Sequence, residues 1–389
     1  MKLLNVFDYR ETAKKRLPKG MFEFIDRGTE DEVLLRDLRV TLNSIKLDQH
    51  VLNDVSKPDA SVTVFGEKLS MPAIIAPTGV AGMVWHDGDI EIARAARKHN
   101  IPFCIATMSM ASMEEIADGA KGASLWFQLY VFEDRNLTRD MLRRVRDLGI
   151  RNLLLTVDTP RSPKKEWNTR NGFAMPITPT LRGGLDVLAH PRWLAGVLLR
   201  HIVAKGGMPT YANYPPEYRT KITRTAIWDN VKLAARLTWE DAEEIRRMWD
   251  GALTIKGVMS KSDAEKSAAV GADGIVVSCH GGRNFDSSPT SISVLPEIAD
   301  VVGNRLTVLA DSGVRRGSDI VKYMAAGAQA VLLGRATLYG AAVSGEKGAD
   351  HVLAILRDEI DHCMAFTGQS ALLPAMTSEL PRSVSNGRS

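Results

Sequence analysis

The chain has 389 residues, of which 44% are hydrophobic and 25% are charged, a composition typical of a globular protein with one large domain or two medium ones. Its 50 basic and 46 acidic residues leave a net charge of +4, and no basic stripe carries interleaved aromatic residues, so a nucleic-acid partner is not expected. Three widely separated cysteines exclude a disulfide framework and a zinc site, and no metal site is predicted. Without a signal peptide or a run of about 18 apolar residues, the sequence predicts a cytoplasmic protein.

The first 70 residues stand outside the repeating pattern of the rest of the chain. They predict a helical start and then a β-hairpin over residues 62–70, with its turn at Gly66. We expect this segment to cap the domain that follows, at the end where the strands of that domain begin.

Eight short apolar runs come next, each with the length of a buried strand. They cover residues 73–79, 101–107, 124–130, 152–158, 253–258, 274–279, 306–313 and 330–335. Amphipathic segments between most of them predict helices over residues 89–99, 112–120, 136–148, 262–270 and 317–326. Eight strand–helix units predict a closed (β/α)₈ TIM barrel of the α/β class. An open doubly wound sheet is the alternative, but the chain lacks the glycine-rich nucleotide motifs that usually accompany it.

The sequence predicts a single domain over residues 1–389. Its parts are an N-terminal cap (1–70), a barrel (71–345) that contains an insertion after its fourth strand (159–235), and a C-terminal helix and tail (346–389). The insertion is predicted because the gap between the fourth and fifth strands is far longer than a normal crossover, and long loops of this kind are usually functional.

One stretch of the insertion, residues 190–205, is apolar with basic residues at its edges and predicts a helix. Two interpretations stay open. The helix either docks on the barrel, or lies on the inner face of a membrane as a peripheral contact. In the second case the lipid-facing side chains would be Trp193, Leu198, Leu199 and Ile202.

Polar side chains stand at the carboxyl ends of the strands, where TIM barrels place their active sites. The first strand ends in a nearly bare backbone that suits a flat ring, Pro77-Thr78-Gly79. The third to eighth strands end in hydrogen-bonding or charged groups, namely Gln128, Tyr130, Thr156, Asp158, Lys256, Ser278, His280, Asp311, Arg315 and Arg335. Because the side-chain period of a strand is two, Ser278 and His280 are expected on one face. Such a succession favours a functional site over a row of solvated strand ends.

The stretch Ser278-Cys279-His280-Gly281-Gly282-Arg283 is the most specific motif in the chain. A histidine can accept a proton near neutral pH, and an arginine can bind a carboxylate with two parallel hydrogen bonds. The pair suits a substrate that is held by an acid group and deprotonated beside it, with Asp158 orienting His280. The alternative is a glycine turn with a solvated arginine and a capped histidine.

The turns after the seventh and eighth strands predict a phosphate site, because glycines expose backbone N–H groups there. Gly313 and Gly334 supply the glycines, and Arg315 and Arg335 add positive charge. A flat polar ring carrying a phosphate fits these groups, so flavin mononucleotide and pyridoxal phosphate both qualify. Lys256 would form a Schiff base with the second, or stabilise negative charge on the reduced ring of the first.

These motifs resemble the FMN-dependent 2-hydroxy acid oxidoreductases, the family of glycolate oxidase, L-lactate dehydrogenase and mandelate dehydrogenase. The likeness extends from Asn5-Val6-Phe7-Asp8-Tyr9 through the strand ends to Asp311-Ser312-Gly313-Val314-Arg315-Arg316-Gly317 and Gly334-Arg335-Ala336. It implies a TIM barrel, the cofactor FMN and oxidation of a 2-hydroxy acid to a 2-keto acid.

The resemblance also implies a role for each site residue. His280 would be the base with Asp158 as its partner, while Arg283 and Tyr130 would bind the substrate. Lys256 would lie at the N1–C2 carbonyl edge of the flavin. The remaining cofactor contacts would come from Pro77, Thr78, Gly79, Gln128, Thr156, Ser278, Asp311, Gly313, Arg315, Gly334 and Arg335.

Three positions depart from the pattern of the family. Phe24 stands where a tyrosine usually reaches the substrate carboxylate, and Lys165 stands where a second carboxylate-binding arginine is usual. Cys279 replaces an asparagine. Lysine keeps the charge of arginine but loses its bidentate geometry. We therefore expect the redox chemistry to persist with a substrate that is bulkier than lactate or glycolate.

The partners are predicted only by class. The electron acceptor is a quinone, another carrier or O₂, and Gly79 resembles the dehydrogenases of the family more than its oxidases. A homo-oligomer, a tetramer, is expected. The competing functions are a non-redox aldolase or isomerase that uses Lys256, and a flavin-binding protein whose altered site has lost turnover.

Overall fold

A computed structural model of the chain describes residues 2–174, 176–219, 221–223 and 233–372. Its strands are β1 (Val62–Val64), β2 (Glu67–Leu69), β3 (Ala73–Ile75), β4 (Phe103–Ala106), β5 (Leu125–Leu129), β6 (Asn152–Thr156), β7 (Ala252–Val258), β8 (Gly274–Val277), β9 (Thr307–Asp311) and β10 (Ala330–Leu333). The strands from β3 to β10 are parallel and follow one another in chain order, and β10 pairs with β3 to close the barrel. The predicted (β/α)₈ barrel is confirmed, because the eight strands form a closed barrel and each of the eight apolar runs overlaps one of them.

Helices cover the outside of the barrel and the two ends of the chain. They are α1 (Val6–Arg16), α2 (Lys19–Asp26), α3 (Val33–Ser44), α4 (Ala81–Val84), α5 (Gly88–Lys98), α6 (Met113–Gly119), α7 (Arg135–Asp147), α8 (Glu166–Asn171), α9 (Leu181–Ala189), α10 (Pro191–Trp193), α11 (Arg200–Lys205), α12 (Trp239–Met248), α13 (Lys261–Ala269), α14 (Ser291–Val302), α15 (Gly317–Ala325) and α16 (Arg335–Phe366). Ser112 begins α6 with a capping box to Glu115, which is why the helix starts where the sequence places it.

The N-terminal segment covers both ends of the barrel, whereas the sequence analysis expected it only where the strands begin. The hairpin β1–β2 does lie at that end, since the ring of Phe65 is 5.7 Å from the ring of Trp126 at the start of β5. The end of α2 lies at the opposite end, where the carbonyl of Phe24 accepts a hydrogen bond from Arg283. The sequence analysis missed this second location because it depends on hydrogen bonds from arginines at the strand ends, such as Arg283, to the backbone of the N-terminal segment.

The insertion between β6 and β7 contains α8 to α11, a π-helical turn (Leu194–Leu199) and a 3₁₀ turn (Pro216–Tyr218). The ordinary crossover helix, α12, comes after it. Residues 175, 220 and 224–232 of the predicted insertion lie outside the described residues.

The helical stretch over residues 191–205 docks on the barrel, and the lipid-facing set expected for it was wrong. Trp193 is 2% exposed and its indole donates to the carbonyl of Met83 at 2.7 Å. Leu198 and Ile202 are half-buried, so only Leu199 of the predicted set is exposed. A tryptophan needs a partner for its N–H, and the backbone carbonyl at α4 supplies one inside the protein.

The last long helix, α16, contains a break at Ser344 and Gly345, whose backbone angles are not helical. Gly345 has a φ of +59°, which favours glycine. The tail over residues 373–389 lies outside the described residues. Within the part of the chain that the structure describes, no helix has the length and apolarity needed to span a bilayer.

Candidate active site

A pocket opens at the carboxyl ends of the barrel strands. Its walls include most of the predicted site residues, namely Phe24, Pro77, Thr78, Gly79, Gln128, Tyr130, Thr156, Lys165, Lys256, His280, Arg283, Asp311, Gly313, Arg315, Gly334 and Arg335. Asp158 and Ser278 stand behind the wall and hydrogen-bond residues that form it. The structure therefore brings the predicted residues together, and their individual roles stay predictions.

His280 and Asp158 form a close pair at the edge of the pocket. Nδ1 of His280 lies 2.9 Å from each carboxylate oxygen of Asp158. Burial lowers the pKa of His280, although Asp158 opposes the shift, so the imidazole is neutral near pH 7. With Nδ1 bound to the carboxylate, Nε2 is the ring nitrogen that can accept a proton.

The backbone around this pair requires glycine. Gly257 has a φ of +109°, and a Cβ at that position would lie 2.5 Å from Cβ of Asp158. A side chain there would push the carboxylate away from His280. His280 itself has a φ of +53°, so the chain has already left the strand, and the expectation that Ser278 and His280 share one strand face was wrong. The Ser278 hydroxyl instead accepts a hydrogen bond from the backbone N–H of His280 at 3.1 Å.

Lys256 is a buried cation held between two carboxylates. Its Nζ lies 3.4 Å from Asp311 and 3.9 Å from Asp158, and it donates to the hydroxyl of Ser278 at 3.0 Å. Burial alone would lower the pKa of Lys256, but Asp311 and Asp158 outweigh it and raise the pKa above its usual value. Burial also acts against the charge of Asp158, yet His280 and Lys256 hold the pKa of that carboxyl at about 2. The lysine is therefore charged throughout the physiological range.

Two buried polar atoms in the wall have no partner among the described residues, and they support the fit of a flavin ring. They are Nε2 of Gln128 and Oγ1 of Thr156. A buried polar atom without a hydrogen bond costs about 1–3 kcal/mol, so such atoms normally meet a ligand or water. Gly79 lines the same pocket, and a Cβ added there would come within 3.3 Å of Met108. Carbonyl and ring nitrogens of a flavin match these two groups.

The predicted phosphate end lies at the start of α16. The first turn of a helix has free N–H groups that favour an anion, and Gly334 and Arg335 bring this turn to the pocket wall. The guanidinium of Arg335 donates to the backbone carbonyls of Ile25, Gly281 and Arg27 at 2.7–3.0 Å. Both terminal nitrogens keep a second N–H, so the side chain can still donate to a phosphate.

One part of the pocket wall is formed by three residues from distant parts of the chain, which the sequence analysis assigned to the substrate. Nζ of Lys165 and Cζ of Arg283 each lie 5.5 Å from the centre of the Phe24 ring. Burial, followed by the charges of Arg283 and Arg335, lowers the pKa of Lys165 well below its usual value. The ammonium form of Lys165 is therefore less favoured in this pocket than it is in water.

The structure adds residues that the sequence analysis did not place. Tyr211, from the insertion, lines the pocket because Ala212 beside it donates to the carbonyl of Ser109 at 2.9 Å. Met108 lines it as well, whereas Trp167 does not belong to the described pocket wall, and the centre of its ring lies 4.0 Å from Cζ of Arg27. Nothing in the sequence links Tyr211 to the strand ends.

Cys279 does not face the pocket. It is buried and packs with Leu34 and Leu38 of α3. Burial raises the pKa of its thiol, so it behaves as a small apolar side chain under the loop. Its replacement of asparagine therefore bears on packing rather than on the substrate.

Comparisons with known proteins agree with this geometry. A sequence profile of the FMN-dependent dehydrogenases matches residues 13–379. An L-lactate dehydrogenase of Azorhizobium caulinodans is 39% identical over 366 residues, which cover 94% of this chain and 95% of the relative. An (S)-mandelate dehydrogenase of Pseudomonas putida is 38% identical over 384 residues, which cover 99% of this chain and 94% of the relative.

A solved structure gives the same result for the fold. The crystal structure of a monotopic membrane protein, (S)-mandelate dehydrogenase, superposes with a TM-score of 0.91 at 37% identity and covers 98% of this chain and 99% of its own. The family profile, the relatives and the pocket agree. The chain belongs to the FMN-dependent 2-hydroxy acid oxidoreductase family, and its cofactor is FMN.

Proposed function

We propose that the protein oxidises a 2-hydroxy acid with a bulky side chain to the 2-keto acid, with His280 as the base. The observation that carries the proposal is the His280–Asp158 pair at the pocket wall, with Nδ1 at 2.9 Å from both carboxylate oxygens. This contact fixes the ring and leaves Nε2 for the proton of the substrate. FMN, when bound, supplies a two-electron acceptor in the same pocket.

The other residues of the site bind and balance charge. Arg283 and Lys165 flank the Phe24 ring and present positive charge to the substrate carboxylate. Burial and Asp158 raise the pKa of Tyr130, so its hydroxyl stays protonated and can donate to the substrate oxygens. Lys256, charged and paired with Asp311, is the cation available to balance negative charge on a ring in this pocket.

The size of the substrate follows from the apolar wall. Phe24 replaces a hydroxyl-bearing side chain, so the carboxylate receives one hydrogen bond fewer than in the pattern of the family. Phe24, Met108 and Tyr211 give apolar surface that a methyl group cannot cover. Buried apolar area contributes about 25 cal/mol per Å², which favours a large substrate side chain.

The direct test mixes the holoenzyme with candidate acids in the absence of oxygen and follows the loss of flavin absorbance. Mandelate and other acids with a large side chain should reduce the flavin faster than lactate or glycolate. Equal rates for lactate and mandelate would contradict the substrate proposal. No reduction by any 2-hydroxy acid would instead favour the flavin-binding protein without turnover.

A non-redox reaction through a Schiff base on Lys256 is not favoured by the geometry. A Schiff-base lysine needs a neutral amine, whereas the pKa of Lys256 is raised by two carboxylates. Borohydride treatment with a carbonyl substrate should leave this lysine unmodified. A stable adduct at Lys256 would support the aldolase alternative.

We also propose that the insertion makes a peripheral membrane contact. Five apolar side chains of the insertion, called here the apolar stripe, are between 48% and 85% exposed, namely Leu181, Leu185, Leu188, Leu199 and Val203. Basic side chains border it at Arg182, Arg192 and Arg200. An amphipathic surface of this composition suits the headgroup region of a bilayer. A quinone dissolved in the bilayer is then the electron acceptor that we propose, in preference to O₂.

Vesicle flotation tests the membrane contact. The double variant Leu185→Glu with Val203→Glu should lose its binding to anionic vesicles and keep its flavin reduction rate. Leu52→Glu is the matched control, because Leu52 is fully exposed but lies outside the insertion. Unchanged flotation of the double variant would contradict the proposal. The homo-oligomer stays a prediction.

A further inference from the structure

Asn284, which follows Arg283 in the loop after β8, contacts Asp158 at the backbone carbonyl and at Oδ1, the carboxylate oxygen that it shares with His280. Its Nδ2 lies 2.9 Å from the backbone carbonyl of Asp158 and 3.3 Å from Oδ1 of the same residue. It also lies 2.8 Å from the hydroxyl of Thr159, which in turn donates to Oδ1 of Asp158 at 3.2 Å. The two N–H groups of this amide share three acceptors, which are the backbone carbonyl and the carboxylate of Asp158 and the hydroxyl of Thr159, and the carboxylate contact is the longest of the three.

The neighbours of Asn284 are themselves fixed. Arg283 donates to the carbonyls of Phe24 and Arg27 at 2.8 and 3.2 Å. Asp286, which is 5% exposed, accepts hydrogen bonds at 3.0 Å from the first two backbone N–H groups of α3. The amide of Asn284 is thus presented from a loop anchored on both sides, which is a requirement for holding another side chain in one rotamer.

We propose that Asn284 is a positioning residue that holds the Asp158 carboxylate in line with Nδ1 of His280. The inference rests on the proposed function, because it concerns the orientation of the same base. Without the amide, the carboxylate loses a charge-assisted hydrogen bond and the partner that fixes its χ angles. The His280 ring then loses the contact that sets its direction towards the substrate.

The same contact affects proton affinity. A donor to a carboxylate disperses its negative charge, so the imidazolium of His280 is stabilised less than by a free carboxylate. The other charged groups around the pair are Lys256 and Asp311, with the neutral hydroxyl of Tyr130 beside them. These groups are unchanged when Asn284 is replaced by an uncharged side chain, so a shift in the pKa of His280 in such a variant reports the lost Asn284 contact.

The test uses Asn284→Asp, which keeps the shape of the side chain and replaces a donor by a negative charge. We expect the pKa of His280 to rise by about one unit, since a second carboxylate now lies near the pair. We expect flavin reduction at its pH plateau to slow about ten-fold, because the base is held less well. Asn284→Gln keeps the amide donors and should leave the pKa of His280 close to that of the parent.

Two measurements are made on the holoenzyme. The first is a titration of the histidine rings by NMR, with the His280 signal assigned by its loss in His280→Gln. The second is the pH profile of anaerobic flavin reduction. Asn100→Asp is the matched control, because the Asn100 amide also donates to a backbone carbonyl, that of Lys68, before the start of β4.

The outcomes separate the inference from the proposed function. A raised His280 pKa in both Asn284→Asp and the uncharged variant Asn284→Ala, with no change in Asn100→Asp, supports the inference whether or not a substrate is known. If Asn284→Asp leaves both the His280 pKa and the acid limb of the pH–rate profile unchanged, the inference is overturned, even if the parent oxidises hydroxy acids. If Asn284→Asp does not retain FMN, Asn284→Ala takes its place, and a parent-like rate and pH profile in that variant overturn the inference.

Discussion

Replacing Asp158 by asparagine tests how much the protein depends on the charge next to its proposed base. The carboxylate accepts from Nδ1 of His280 at 2.9 Å, and its side chain is 12% exposed. As His280 takes the proton, the imidazolium that forms is stabilised by the full charge of Asp158. Asparagine can still accept the hydrogen bond, but only as a neutral group.

The magnitude follows from this difference in charge. A hydrogen bond to a charged group contributes about 1.5–3 kcal/mol, compared with about 1 kcal/mol for a neutral pair. A loss of about 1.5 kcal/mol in the transition state slows the reaction roughly ten-fold, and a loss of about 2 kcal/mol roughly thirty-fold. The fold should survive, because Lys256 remains paired with Asp311 at 3.4 Å.

The sign of the pH effect is also determined. Asp158 raises the pKa of His280 against the larger effect of burial, so its neutralisation lowers that pKa further. In the pH profile of the flavin reduction rate, the acid limb of Asp158→Asn should therefore move to lower pH. This shift is opposite to the one expected for Asn284→Asp.

The assay is anaerobic stopped-flow reduction of the bound flavin at saturating acid. Asp350→Asn is the matched control, because Oδ1 of Asp350 accepts from Nε2 of His99 at 2.8 Å in a pair outside the site. The reasoning is refuted if Asp158→Asn binds FMN fully and reduces it as fast as the Asp350→Asn control.

Three further predictions concern the substrate and the flavin. The double change Phe24→Tyr with Lys165→Arg should raise the rate with lactate relative to mandelate, and an unchanged ratio in a competition assay would contradict the substrate proposal. The apparent affinity for the acid should fall as pH rises through the lowered pKa of Lys165, and Lys165→Arg should abolish this dependence when KM is measured against pH. Lys256→Met should lower the reduction potential of the bound flavin by removing the cation beside Asp311, and a potential equal to that of the parent would exclude a role for the lysine in charge balance.

The assembly of the site could be predicted because the barrel brings all carboxyl ends of its strands to one end. Thr156 and Lys256 are direct partners in the β6–β7 register, and Gln128 lies on the neighbouring strand β5. The strand order alone is therefore enough to predict that these residues, which are widely separated in the sequence, lie close together.

The geometry of the loop after β8 could not be predicted in the same way. His280 adopts a left-handed conformation that non-glycine residues rarely take, so the two-residue period of a strand no longer applies. The adjacent Gly281 and Gly282, with φ of +64° and +70°, are the only sequence signal of this turn. Asn284 gives no signal at all, since a single asparagine in a loop is usually solvated.

The orientation of the helical stretch in the insertion could not be predicted from the sequence, for a different reason. Apolar residues occur on both faces of the stretch over 190–205, so hydrophobicity alone could not tell the docked face from the exposed one. The docked face carries Trp193, whose indole donates to the carbonyl of Met83, together with the buried Val197 and His201. Tyr211 likewise reaches the pocket only because the following backbone pairs with Ser109.

The most direct test of the account is the rate of flavin reduction in His280→Gln, measured in a single turnover without oxygen. The variant should bind FMN as the parent does, because its side chain keeps a polar group of similar reach. Loss of the general base should slow reduction by about 10²–10⁴-fold at the optimal acid. Reduction within a few-fold of the parent rate would contradict the assignment of His280 as the base.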